Sequence, residues 1–252
     1  MTFAALLREM AQLFWPARCA GCHEYVADNV VFCASCAPSV TLLRDVCLGC
    51  ALPSEQSRPG GCRACARPCF TFAGAEVACA YGAALADAII AMKHRSRRDL
   101  ARRLARLLVD PLARALARGA FGHSDALAPV PLHPRRLRKR GFNQSLELAR
   151  GALSLLARPV GVRGAARLRP VLEPTLLQRT RDTRELGHLG PAARRREVAG
   201  AFGVRDAARV RGRRVVLVDD VFTTGATLDE CARVLRAAGA VEVWVVALAR
   251  AV

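Results

Sequence analysis

Eight of the chain's eleven cysteines fall into four C-x-x-C pairs, Cys19/Cys22, Cys33/Cys36, Cys47/Cys50 and Cys62/Cys65, all within the first 65 of 252 residues. A C-x-x-C turn offers two thiolates from one tight loop, and two such turns facing each other complete the tetrahedral shell of a structural zinc ion. Ten residues separate the first two pairs and eleven separate the last two. Gly21 and Gly49 stand inside pairs, where a small residue lets the backbone turn back on a metal. Disulfides are the rival reading. They persist in oxidising compartments, and the opening residues do not read as an export signal. A redox C-x-x-C occurs once, after a strand, rather than four times in fifty residues.

Two structural zinc ions are therefore expected. Sequential pairing gives one to Cys19, Cys22, Cys33 and Cys36 and the other to Cys47, Cys50, Cys62 and Cys65. Spacing alone leaves an interleaved pairing open. Cys69, Cys79 and Cys231 lie outside the pairs and read as small packed residues. Residues 1–68 are expected to form an amphipathic helix plus a double zinc ribbon, and 69–252 a separate α/β domain. A cysteine-rich module of this size buries little apolar surface, so metal binding would supply much of its folding free energy.

Charge narrows the partners. Thirty-nine Lys and Arg against twenty-one Asp and Glu leave a formal charge of +18, which favours phosphorylated metabolites, nucleic acid or an acidic surface. No apolar run reaches the eighteen or so residues of a membrane span. The opening segment places Phe3, Leu6, Leu7, Met10, Leu13 and Phe14 at helical spacing, interrupted by Arg8 and Glu9, so it predicts an amphipathic helix rather than an anchor. The expected compartment is the cytoplasm.

The carboxy-terminal part carries a ligand signal. Val215–Val218 is an apolar run of the kind found in strands buried on both faces of a parallel sheet. Asp219 and Asp220 follow at its carboxyl end. Beyond the loop, Leu228, Cys231, Val234 and Leu235 predict a helix that stops at Gly239, and Val241–Leu248 predicts the next strand. In the loop, Gly225 permits close backbone approach to an anion, Thr223, Thr224 and Thr227 offer hydroxyls, and the amides from Ala226 onward point at a phosphate with the helix dipole behind them. The two carboxylates can accept hydrogen bonds from sugar hydroxyls at the edge where open α/β sheets bind ligands. Ribose plus phosphate suits these groups.

Residues 215–227 resemble the phosphoribosyl pyrophosphate (PRPP) motif of type I phosphoribosyltransferases: strand, two acids, two variable residues, then Thr-Thr-Gly-x-Thr. The resemblance implies that Asp219 and Asp220 hold the ribose hydroxyls and that Thr223, Thr224, Gly225, Ala226 and Thr227 hold the 5-phosphate. A response-regulator receiver also opens with an acidic pair, but its phospho-acceptor lies on a later strand, and only 32 residues follow Asp220.

Earlier in the chain, the apolar run 126–132 leads into a segment in which five of the six residues from Arg135 to Arg140 are basic. Gly141 breaks the run, and Asn143 or Ser145 is the expected cap of a helix through Leu146–Leu156. By the same resemblance, Pro131, Leu132, His133, Arg135 and Arg136 occupy the place of the loop that cradles the pyrophosphate of Mg²⁺–PRPP. Residues 138–144 (R-K-R-G-F-N-Q), with Ile89–Lys93 before them, narrow the resemblance to the ComF family. Arg179–Arg196 resembles the superfamily's loop that closes over PRPP, with Leu186 and Glu197 where ComF-like proteins carry Gln and Asn.

Two function classes follow. ComF membership implies a PRPP-binding protein acting in natural competence, with incoming single-stranded DNA and competence-machinery proteins among its partners; neighbouring superfamily members are often dimers, which makes a homodimer a further candidate. The other class is an active transferase with an unidentified acceptor base. Purine-salvage members carry a carboxylate where Thr223 stands, which weighs against ordinary purine salvage.

Overall fold

The computed structural model describes residues 16–27, 30–53, 57–58, 61–62, 65, 70–94, 97–122, 125–156, 170–184 and 190–251. The amphipathic helix expected over 3–14, Cys69 and Leu186 lie outside the described residues.

The apolar runs of the sequence pair side by side. Strands β3 (Gly74–Ala80), β4 (Ala126–Pro129), β5 (Val171–Leu172), β8 (Arg214–Phe222) and β9 (Glu242–Arg250) form one sheet in the order β3-β9-β8-β4-β5, parallel at every junction. Alternate residues of these strands feed two cores. Val216, Val218, Leu127, Val246 and Leu248 face one, while Val215, Leu217, Ala128, Val245 and Ala247 face the other. Double burial explains why the strands read as continuous Val-rich runs rather than as alternating ones.

The first core is closed by α1 (Ala83–His94), α2 (Arg98–Leu104), α3 (Val109–Ala117) and α5 (Gln144–Leu156). Leu228, Cys231 and Leu235 of α7 (Ala226–Ala237) fill the second. Cys79 and Cys231 are fully buried, one in each core, as small packing residues.

Three local readings are refined. The final strand continues to Arg250 and carries β8 with it, so Asp219 and Asp220 lie inside the ladder, where Asp219 pairs with Ala247, rather than just past its end. The basic run is itself a short helix, α4 (Pro134–Arg140), so Arg135 and Arg136 sit on its first turn and not in a loop. Pro134 is pre-set for that turn, His133 Nδ1 accepts from the Arg135 N–H, and Gly141 at φ 77° ends it. The segment expected to close over PRPP, Arg179–Arg196, starts on the last residue of β6 (Leu177–Arg179) and runs into α6 (Pro191–Val198). β6 pairs antiparallel with β7 (Phe202–Val204).

The cysteine module is joined to the sheet. Leu43 N–H donates to Ala78 O at 2.8 Å and Ala80 N–H to Thr41 O at 2.9 Å, so residues 41–43 cover the outer edge of β3. The module's only other strands in the described residues are the two-residue β1 (Ser57–Arg58) and β2 (Gly61–Cys62), which pair antiparallel. Cys19, Ala20 and Phe32 belong to the first core beside Ala84 and Leu85.

Candidate functional site: an acid pair beside a basic cavity

The thiols converge in sequence order. Cys19, Cys22, Cys33 and Cys36 bring their sulfurs within 4.8 Å of one another, and so do Cys47, Cys50, Cys62 and Cys65. Sγ of Cys22 and Cys33 are 3.5 Å apart, and those of Cys47 and Cys65 are 3.3 Å apart. Both distances are far beyond the ~2.05 Å of a disulfide. They approach the ~3.8 Å edge of a tetrahedron with ~2.3 Å metal–sulfur arms. The donor set is four thiols with no room for a water ligand in the count, which fits a closed structural site and not a catalytic one. Burial, then the neighbouring thiols, pushes Cys50 and Cys36 up to about 12, while at Cys19 burial is outweighed by backbone N–H groups that bring the thiol down to about 6.

At the carboxyl edge of the sheet, Asp219 and Asp220 are almost wholly buried. Asp219 Oδ1 accepts from Ser145 Oγ and from the Asp220 N–H, both at 2.9 Å. Asp220 Oδ2 lies 2.8 Å from Lys93 Nζ at the end of α1. Burial, then the like charge of Asp220, pushes the Asp219 carboxyl up to about 7. Two acids with one lysine leave a site that still seeks hydrogen-bond donors or a cation.

The following loop has its conformation fixed. Gly225 has φ 79°, and a Cβ there would lie 2.6 Å from Cε1 of Phe70, so only glycine fits. Phe222, set edge-on against the stacked pair Phe70 and Phe72, fixes one end of the loop, and Arg250 clamps the carbonyls of Phe222 and Thr223 from below. Gly225 N-caps α7 with no side-chain cap, so the first-turn amides of a twelve-residue helix face an incoming ligand. Thr223, Thr224 and Thr227 are half-buried around this turn.

Lys93 connects the acid pair to a cavity of about 410 Å³ lined by Lys93, His94, Arg135, Arg136, Lys139 and Arg140, with Asp182 as the one carboxylate in its wall among the described residues. Arg136 donates to the Thr183 carbonyl, which draws the irregular segment after β6 onto α4. Of the predicted pyrophosphate residues, Arg135 and Arg136 line this cavity. His133 turns its ring toward Asp182, with Nδ1 3.6 Å from Oδ1, and Pro131 is buried beneath. Asn143 proves to be the cap of α5, accepting from the Ser145 N–H at 3.0 Å, which leaves the Ser145 hydroxyl to hold Asp219.

Two site residues escaped the motif. Lys93 had a signal, being a basic residue on the last turn of a helix that is apolar apart from Asp87 and the neighbouring His94. Ser145 had none, because cap and ligand roles read alike in sequence.

A parallel sheet with an acid pair, an uncapped helix start and a cationic cavity at one edge defines a phosphoribosyltransferase-type domain, and residues 145–251 match the family model described as "Phosphoribosyl transferase domain". Over 214 residues the chain is 30% identical to "DNA utilization protein YhgH" of Escherichia coli K12, covering 84% of this chain and 88% of that protein. The Salmonella typhi protein of the same name is 32% identical over 215 residues, with the same coverage. "Competence protein F" of Haemophilus influenzae is 34% identical over 151 residues, 60% of this chain and 61% of that one. The chain belongs to their family, the ComF family. Among the described residues no helix is long and apolar enough to cross a membrane.

Proposed function

We propose that the protein binds Mg²⁺–PRPP at the edge of its sheet and acts in DNA uptake or utilization, handling single-stranded DNA in the cytoplasm. The observation that carries the PRPP reading is the continuity from acids to cations through Lys93. Asp219 and Asp220 offer buried acceptors for ribose hydroxyls, the 223–227 turn and the α7 amides offer donors for the 5-phosphate, and Arg135, Arg136 and Lys139 neutralise the pyrophosphate. The Mg²⁺ arrives with its ligand and offsets part of the pyrophosphate charge. Two zinc ions, one per cysteine group, hold the amino-terminal module in shape. The DNA arm of the reading rests on the names borne by the relatives and on the +18 charge.

Calorimetric titration with PRPP and Mg²⁺ tests the site. Saturable heat in the natural protein and none in Asp219→Ala/Asp220→Ala is the expected result, and equal heat in both defeats the assignment. Pyrophosphate release, measured with the same pair of proteins, decides whether binding leads to turnover.

A further inference from the structure

Away from the PRPP edge, α2 and α5 enclose a second basic groove. Glu147 on α5 is 3% exposed, and three arginines converge on it. Arg150 approaches Oε1 at 3.0 Å, Arg102 approaches Oε2 at 3.4 Å and Arg98 approaches Oε1 at 3.7 Å. One carboxylate cannot discharge three guanidiniums. Their side chains stay 50–65% exposed, so most of their N–H donors face outward. Arg106 lines the same groove with Gly151 and Ser154. At Gly151 a Cβ would lie 2.6 Å from the Ala105 Cβ, so the two helical segments touch and the groove floor is bare backbone.

The spacing carries the chemistry. Arg98, Arg102 and Arg106 recur every fourth residue along α2 and the helical turn after it, about 6 Å apart along the axis. That repeat is comparable to the separation of neighbouring phosphates on an extended nucleic-acid strand. The row also has a direction. At its upper end the Arg98 guanidinium lies over the Phe142 ring at 5.6 Å, and Phe142 stands just past Gly141, the cap of the helix whose Lys139 and Arg140 line the PRPP cavity. Arg97, by contrast, is paired with Asp99 and takes no part.

We propose that the α2–α5 groove is the docking track for the sugar-phosphate backbone of single-stranded DNA, which it leads toward the PRPP cavity. The inference rests on the DNA-handling reading above and adds the surface. A groove lined by arginines and closed by two touching helices grips phosphates without reading bases, so binding is sequence-tolerant and steeply salt-dependent.

The test is fluorescence anisotropy with labelled oligodeoxythymidine over a salt series, comparing the natural protein with Arg102→Gln/Arg106→Gln/Arg150→Gln. The variant is expected to lose roughly ten- to a hundredfold in low-salt affinity, and its log K against log salt slope should fall by about 2, three contacts at ~0.7 each. PRPP heat should stay unchanged. An unchanged affinity and slope in the variant overturns the groove while leaving the DNA reading intact. No oligonucleotide binding by the natural protein at low salt overturns the DNA reading itself and the groove with it. Polyglutamate binding as tight as the oligonucleotide overturns the proposal in favour of an acidic protein partner. If the variant does not fold, hydrogen exchange on the natural protein decides: protection of residues 98–108 and 144–156 by the oligonucleotide supports the track, and unchanged exchange there overturns it.

Discussion

The acid pair on β8 and the lone Glu147 on α5 are mirror cases of incomplete charge compensation. At Asp219 and Asp220 two buried carboxylates share one lysine, while at Glu147 one buried carboxylate is shared by three arginines. Purely structural clusters in the same chain lie between them. Glu76, fully buried, is held by Arg114 and Arg118, each at 2.8 Å, and Glu173 is held by Arg209 and Arg213. What separates the groups is where the surplus points. Arg114 folds inward onto the carbonyls of Leu43 and Val77 and stitches the cysteine module to β3. The Glu147 arginines point outward. A surplus spent on backbone carbonyls is structural, and one left facing solvent is available to a ligand.

The largest effect is expected at the cysteine groups, where four thiols converge within 4.8 Å of one another. Chelation of the metal, or Cys47→Ser/Cys50→Ser, should unfold the amino-terminal module, with a loss on the order of 10 kcal/mol for a structural zinc site. Zinc content by atomic absorption together with far-UV circular dichroism checks this. A chelated protein that melts like the untreated one would show the module to be held by packing alone.

Next in size is Glu76→Ala, which should cost about 3 kcal/mol, because Arg114, mostly buried, is left with only the exposed Asp110 as a counter-charge. Glu147→Ala should cost far less, about 1 kcal/mol, since its arginines can turn to water. The two urea midpoints measured side by side settle it. Equal losses would erase the distinction between inward and outward surplus.

Asp219→Asn sharpens the other arm. It should weaken PRPP binding about a hundredfold, the equivalent of losing one or two charge-assisted bonds, yet leave the melting temperature unchanged or raised. The pH dependence has a definite sign. With Asp219 pushed up to about 7 in the folded protein against ~3.9 in the unfolded chain, the native state holds the extra proton between those values. The pair's contribution to stability therefore declines as pH rises from about 4 to 7 and is level above. Asp219→Asn should flatten that decline. Ligand binding needs the ionised pair, so PRPP affinity should climb through pH 7, with heats that depend on the buffer.

Much of this was written in the sequence, for local reasons. Val215–Val218, the acid pair and the Thr-Thr-Gly-x-Thr turn lie within thirteen consecutive residues, so one contiguous stretch displays strand, acceptors and phosphate turn together. C-x-x-C pairs announce themselves in the same way, and their sequential grouping is what the structure brings together. Legibility fails where contacts are long-range. Lys93 reaches Asp220, and Ser145 reaches Asp219, across chain separations that carry no periodic signal. Glu147 and its arginines look like an ordinary charged helix face until α2 is laid against α5. The extension of β8 to Phe222 depends on β9 continuing alongside it, which no property of residues 219–222 reveals.

The position of β9 bears on how the molecule comes to exist. Gly74 finds its sheet partner only at Trp244, and the strand that joins β3 to β8 is the last in sequence. On a chain emerging from the ribosome, β3 must wait while nearly all the intervening sequence is synthesised, whereas each cysteine group draws its ligands from a span of fewer than twenty residues. The thiol groups can thus be loaded with metal long before a sheet exists. In the folded chain residues 41–43 lie along the outer edge of β3 and shield it from pairing with another chain. Metal loss would then bare that edge as well as unfold the module, and a cell short of zinc should accumulate this protein in aggregates.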